Sequence, residues 1–316
     1  MSGLSRKIQQ WMLPGAIVFG ISLYCFYHFT TLLHPWGATL HRLASDGQRI
    51  VIAILLFFQF TKVSPRDIHL TRWHLFALLF QVGSFLAVAA LDNVVPPGNG
   101  RILVECAMLC LICPTAAAAG VVTEKLGGKL NETVSYLVLA NLAATFLIPI
   151  VIPMVRPSAE MGFWAYVGHI AWKIFPLLVL PCLLAWLVRY TAPRFHRFLV
   201  RISPASFYVW GVGLTLAMVL SMRALLLSHL GGGAILLIVV VSLLACALQF
   251  FLGRRFKADP ITRITAAQAM GQKNTGFLIW LGYNYMTPVT SVSGGLYAIW
   301  QNLFNSWELR QKLNKK

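Results

Sequence analysis

Long runs of Leu, Ile, Val, Phe and Ala alternate along this chain with short stretches rich in Arg, Pro and Gly. A helix needs roughly 20 mostly apolar residues to cross a bilayer. By that measure the pattern predicts ten spans, near 13–33, 48–62, 73–91, 102–123, 131–155, 172–189, 205–226, 232–252, 261–284 and 287–306. The second is short. Residues 161–171 are expected in the interface ahead of the sixth. Arg6 and Lys7 precede the first run, but that run is long and carries Tyr24, Tyr27 and His28 in place of a small-residue cleavage site, so it reads as a span and not a cleaved leader.

Composition agrees with the pattern. Hydrophobic residues make up 58% of the 316 and charged residues 11%, against about 25% charged in soluble domains. Mean hydropathy is +0.72. A disordered chain, a disulfide scaffold and an ordinary cytosolic enzyme are excluded, and the six Cys show no framework spacing. The net charge of +17 would suggest nucleic acid, but its placement argues otherwise. With a cytoplasmic N-terminus, nineteen of the 26 Lys and Arg fall on inside segments and five on outside ones. That bias is an orientation signal. It predicts a multi-pass protein of the cell (inner) membrane with both termini cytoplasmic, lipid as its surroundings and no nucleic-acid partner.

Two spans are interrupted. The fourth contains Pro114 and, six residues on, Gly120; the ninth contains Gly271, Gln272, Lys273, Asn274 and Thr275 in a row. Proline removes a backbone donor and breaks a helix. Unwound backbone at membrane depth is tolerated only where protein buries it or a cavity bathes it. Fourth and ninth of ten are five apart, an odd number, so a second copy of the first five spans would run inverted. Broken helices at matching positions of two halves point to a transporter's binding site, with half-helix N-termini attracting anions. The expected fold is an all-α integral membrane protein of two inverted five-helix repeats, 1–155 and 156–316, forming one unit.

Ionisable residues inside a membrane are costly and point to function. Lys273, halfway along the ninth span, is the clearest, with structural pairing to Glu124 or another carboxylate as the alternative. Glu124 lies at the end of the fourth span beside Lys125; a solvated end explains it about as well. Glu105 follows Arg101 by four residues, which an i,i+4 pair accounts for. Gln81 in the third span needs a partner. Cys106, Cys110 and Cys113 share a helix face, but no His is near, and small packing explains them better than a soft metal. His28, His34 and His41 read as interface residues. No nucleotide loop, zinc-protease helix or nucleophile elbow is present, so no enzyme is expected.

These residues resemble the bile acid:sodium symporter family. Four stretches carry the likeness in order: QFTKVSPRD at 59–67, CPTAAAAGVVT at 113–123, AMGQKNT at 269–275 and PVTSVSGGLYAIWQNLFNSW at 288–307. The resemblance implies a panel domain and a core domain, with the broken fourth and ninth helices crossing in the core. It implies secondary transport of an organic anion, a bile acid or a small carboxylate, by alternating access. Asn274, Thr275, Thr115, Ala116, Ala117 and Gly120 are then the expected substrate-binding set. Lys273, Gln272, Gln81, Thr133 and Glu124 are the expected coupling set.

The family's sodium ligands are largely replaced. Its ninth-span Glu-x-Gly-x-Gln-Asn pattern has Ala269 for the Glu and Lys273 for the Gln; its fourth-span Ser-Asn pair is Ala119-Gly120; and Leu137 stands for a fifth-span oxygen, while Thr133 and Gln81 match. The lysine is expected to occupy the place of a sodium ion, making transport sodium-independent or proton-coupled through Lys273, with no other cofactor. A proton antiporter, an anion channel on the same scaffold and a non-transporting sensor are the rival classes. A monomer or weak oligomer is expected.

Overall fold

In lipid, backbone amides must bond within their own segment, which favours helices, and the computed structural model is helical throughout. It describes residues 3–31, 33–228, 230–256 and 259–314. The helices are α1 (Gly3–Phe29), α2 (Gly37–Thr61), α3 (Arg72–Val94), α4 (Asn99–Ile112), α5 (Ala119–Lys125), α6 (Leu130–Val155), α7 (Phe163–Leu178), α8 (Leu180–Thr191), α9 (Pro193–Ile202), α10 (Ser206–Leu226), α11 (Gly232–Arg255), α12 (Pro260–Gly271), α13 (Thr275–Tyr285) and α14 (Ser291–Asn314). Among the described residues there is no strand, only one isolated bridge, Thr115 to Lys273. Six helical stretches are long and apolar enough to cross a membrane. The fourth and ninth expected spans are each divided, α4 from α5 and α12 from α13, so their pieces are short.

Packing sorts the helices into two groups. In one, α1 and α2 flank α10, and α8 lies on α2; in the other, α11 packs on α12, α14 and α4, α3 on α4 and α6, and α13 on α14. The larger core cluster, which includes Leu56, Phe85, Met108, Leu109, Phe250 and Phe277, links both groups. Close approach of α11 to α12 requires Gly253, where a Cβ would meet Ala267 Cα at 2.5 Å and Ala266 O at 2.6 Å.

Three expectations change. The second span is not short: α2 begins at Gly37, and Asp46 forms ion pairs with Arg42 and Arg49 on its own helix, which offset part of the charge of its polar first half. The sixth begins near Phe163, and most of 161–171 forms the first turns of α7. There α7 and α8 run through Val179 as one bent helix, its amide bonding Phe175 O and its carbonyl accepting from Cys182 and Leu183. The bend follows from Pro176 and Pro181, which lack backbone donors. Arg194, Arg197 and Arg201, expected in a loop, lie on α9, a basic amphipathic helix with Phe195 and Phe198 exposed and stacked. That is the composition of a helix lying in an interface.

Candidate functional site

The two breaks meet. The residue before a proline is steered to extended backbone, and Cys113 is extended before Pro114 (φ −48, ψ 125), ending α4. Gln272 is likewise extended at the end of α12. The unwound segments then satisfy one another: Ala116 N donates to Gln272 O at 2.9 Å and Asn274 N to Pro114 O at 2.8 Å. This bridge explains how polar backbone is held in a buried place.

The carbonyls that each break frees are capped from neighbouring helices. Gln81 Nε2 donates to Ile112 O (2.9 Å) and Gln249 Nε2 to Cys110 O (3.2 Å). Thr115 Oγ1 donates to Ala269 O (2.7 Å) and Tyr297 OH to Gly271 O (2.9 Å). Each capping glutamine is itself held by a tyrosine: Tyr136 OH donates to Gln81 Oε1 (2.7 Å), and Gln249 Nε2 donates to Tyr297 OH (3.1 Å). Gln81 and Tyr136 fall on the third and fifth expected spans; Gln249 and Tyr297 fall on the eighth and tenth. Of these four the sequence singled out Gln81 for its polarity and held Tyr297 only as part of the stretch 288–307. A search for polar residues five spans apart would have found the rest.

A cavity of about 790 Å³ lies against the breaks. Ala116, Ala117, Gln272, Lys273, Asn274 and Thr275 line it, with Glu124, Lys62 and Lys125 toward its rim. Its opposite wall is formed by α2 and α10, including Gln48, Gln59, Phe207 and Trp210, and Gln301 of α14 also contributes. The sequence reading missed Gln48, Gln59, Phe207 and Trp210, because their facing depends on how the two helix groups dock, and held Gln301 only as part of the stretch 288–307. Gln48 and Gln59 are eleven residues apart, close to three turns, so they share one face of α2. Each sits over a glycine. A Cβ on Gly120 would meet Gln59 Nε2 at 2.5 Å, and one on Gly276 would collide with Gln48 Nε2.

Not every expected residue reaches the cavity. Thr115, Gly120, Gln81 and Thr133 do not line it. Thr115 and Gln81 cap carbonyls, Gly120 makes room for Gln59, and Thr133 Oγ1 bonds Lys129 O (3.1 Å) and Thr123 Oγ1 (3.2 Å) within the core. Gln272 is committed elsewhere: its amide donates to Gln268, which donates to Glu308, which pairs with Arg254. Asn274 caps α13 with its side-chain oxygen, accepting from Phe277 N at 3.2 Å, so its amide nitrogen is the group available to a ligand. Glu105 does not pair with Arg101. Arg156 reaches Glu105, and Arg101 bonds Asp92 at 2.9 Å, since the α3 and α6 ends come closer than the next turn of α4.

Lys273 is the exception to this bonding. Its residue is 1% exposed, and its Nζ has no hydrogen-bond partner. None of the nine carboxylates is within ion-pair distance of it, Glu124 included. Its backbone amide donates to Gln301 Oε1 at 2.8 Å, and Cys110, Cys113 and Cys246 lie within its electrostatic reach. Gln48 Oε1 and Gln59 Nε2 are also buried without partners. Ala269, Ala119 and Gly120 present no side-chain oxygen where the family pattern has Glu, Ser and Asn, and Lys273 stands for its Gln. The donor set does not suit a hard cation, which needs several oxygens. No group of three or more His, Cys, Asp or Glu placed to hold a metal ion occurs among the described residues.

The sequence model of the sodium bile acid symporter family matches residues 73–230, half of the chain. The chain belongs to this family. Its members are transporters and not enzymes, and the apolar helices agree with a multi-pass membrane protein. No curated protein matches the chain.

Proposed function

We propose that this family member is a secondary transporter of an organic anion, in which Lys273 stands in for the coupling cation. The observation that carries the reading is a buried ammonium without a partner at the meeting point of two broken helices, on a residue that with Asn274 and Thr275 lines a cavity of about 790 Å³. An unpaired buried charge is costly, and an anionic ligand is the partner that would relieve it. Lys273 and the Asn274 amide hold the carboxylate; Thr275, at the start of α13, adds its hydroxyl and the positive end of an eleven-residue helix. Trp210 and Phe207 offer apolar faces to the rest of the molecule.

Ten spans in two inverted repeats account for this arrangement. The recurrence of a capping glutamine and its tyrosine five spans apart supports the repeat, as does the pairing of the two breaks. In this reading α1, α2, α7, α8 and α10 form the panel and the remaining spans the core. The site is exposed alternately to the two sides as one domain rocks on the other. Both termini are cytoplasmic in the inner membrane, which the distribution of Lys and Arg supports. With the ammonium fixed at the crossover, transport needs no sodium; a proton carried on Lys273 is the coupling route left to it.

Uptake of labelled cholate, and in parallel of small carboxylates, into proteoliposomes tests the reading. Accumulation unchanged when sodium is replaced by potassium, and lost in Lys273→Ala, is expected. A steep dependence on sodium at fixed pH and potential would refute the lysine's role. Flux that never exceeds equilibrium would favour a channel.

A further inference from the structure

A second cavity, of about 320 Å³, lies at the opposite end of α2 and α10 from the first, between α1, α2 and α10. Its walls are aliphatic, with Leu23, Leu40 and Leu43 at 43%, 39% and 63% exposure on its rim. In a membrane-embedded chain those exposed faces meet acyl chains, so the cavity is continuous with the bilayer. Its polar groups converge at one place: Tyr24, Tyr27, His41 and Arg223.

Arg223 has no carboxylate partner. All nine Asp and Glu are described, and those in ion pairs are taken by other bases. Its Nε donates to Tyr283 OH at 3.0 Å, and Tyr24 and Tyr27 lie within its electrostatic reach. His41 Nδ1 is buried and has no partner, while its ring packs on Tyr283 with centroids 4.9 Å apart. A guanidinium without a counter-ion at the base of an apolar, lipid-facing cavity calls for an anion that brings its own hydrocarbon.

We infer that this cavity is a binding site for an anionic phospholipid, one acyl chain lying along Leu40, Leu43, Leu216 and Val219 and the phosphate bonded to Arg223. The planar guanidinium has donors to spare beyond the one given to Tyr283 and suits phosphate. Tyr24 and Tyr27 hydroxyls and His41 supply neutral hydrogen bonds beside it. The site belongs to the helix group away from the breaks, and it meets α13 through the Arg223–Tyr283 hydrogen bond and through Ala44 and Leu220, which share an apolar cluster with Ile279. A phosphate on Arg223 therefore competes for the side-chain hydrogen bond from this end of α10 to α13.

Native mass spectrometry of the full chain in a neutral detergent tests the site. Phosphatidylglycerol is titrated against phosphatidylcholine of the same chains, with free oleate as a third arm. The wild type is expected to retain phosphatidylglycerol over phosphatidylcholine. Arg223→Gln should weaken that retention about tenfold, the loss of one charge-assisted contact. Val219→Trp fills the cavity while leaving the arginine in place, and it should also release the lipid. Equal retention of the two phospholipids, or phosphatidylglycerol binding that survives both variants, would overturn the site. Arg223-dependent binding of oleate without binding of phosphatidylglycerol would overturn the phospholipid as occupant.

Discussion

Replacing Lys273 with Met should make the protein more stable and inactive together. The substitution keeps the length and apolar stem of the side chain and removes only an ammonium that is 1% exposed and unpartnered. Leaving a buried polar group unsatisfied costs about 1–3 kcal/mol, and more for a charge, so about 3 kcal/mol is expected back. At about 2 °C per kcal/mol for a large domain, the melting midpoint should rise by about 6 °C. The ten tryptophans give a fluorescence signal for a thermal ramp in detergent. Unfolding there is commonly irreversible, so the variants are compared at a single scan rate. Uptake in proteoliposomes supplies the second readout. A structural lysine predicts the opposite sign, because removing one partner of a buried pair destabilises. A lowered midpoint, or transport that persists in Lys273→Met, would refute the reasoning.

Four further outcomes follow from the same geometry. The double substitution Ala269→Glu with Lys273→Gln restores two oxygen-bearing groups of the family pattern and should make thermal stability rise with sodium, where the wild type is indifferent; equal sodium titrations of the two would count against the replacement of a cation by Lys273. Gly253→Ala should cost about 1–3 kcal/mol through overpacking, because the added methyl meets the backbone of Ala266 and Ala267; a thermal ramp checks it. Tyr283→Phe removes the bond from Arg223, a net loss of about 1 kcal/mol or a fivefold shift in population; a cysteine placed at Gln48 should then label faster with an impermeant thiol reagent applied from the Tyr283 end. At Asp259, the hydroxyl and amide of Thr262 hold the carboxyl below the usual carboxylate range. The cap therefore stabilises α12 above that range and is lost as pH falls through the lowered value, so melting curves of wild type and Asp259→Ala should converge in acid and separate toward neutrality.

The parts of the fold written in local pattern were legible from sequence, and those set by neighbours were not. Pro114 and the run from Gly271 to Thr275 marked both breaks, since each removes helical hydrogen bonding by its own chemistry. Lys273 was legible because a lysine at mid-span is costly in itself; whether a carboxylate pairs with it was not legible, and the structure places none within reach. The reach of α2 to Gly37 was hidden because Asp46 and its two arginines look like a loop until they are paired on one helix face. Glu105 illustrates the reverse error: four residues from Arg101 it satisfies a helical pairing rule, yet its partner is 51 positions away on Arg156. Gln48 and Gln59 carry no local signal at all. Their unpaired amides acquire meaning only where Gly276 and Gly120 let two helix groups approach.

That contact pattern bears on how the site would work. Along α2, Gln48 rests against the start of α13 and Gln59 against α5, one on each side of the bridge between the breaks. The half-helices beyond the bridge run in opposite directions, so the α2 face meets each at its N-terminal end. A displacement of one helix group along the other would break both glutamine contacts, while the bridge itself, held by Ala116 and Asn274 within one group, would move as a rigid piece. The caps supplied by Gln81, Gln249 and Tyr297 lie wholly inside that group. They can survive such a motion intact, whereas the Gln48, Gln59 and Arg223–Tyr283 contacts cannot. In the proposed alternating access, the bonded caps thus lie in the piece expected to stay rigid around Lys273, and the Gln48, Gln59 and Arg223–Tyr283 contacts lie on the boundary expected to slide.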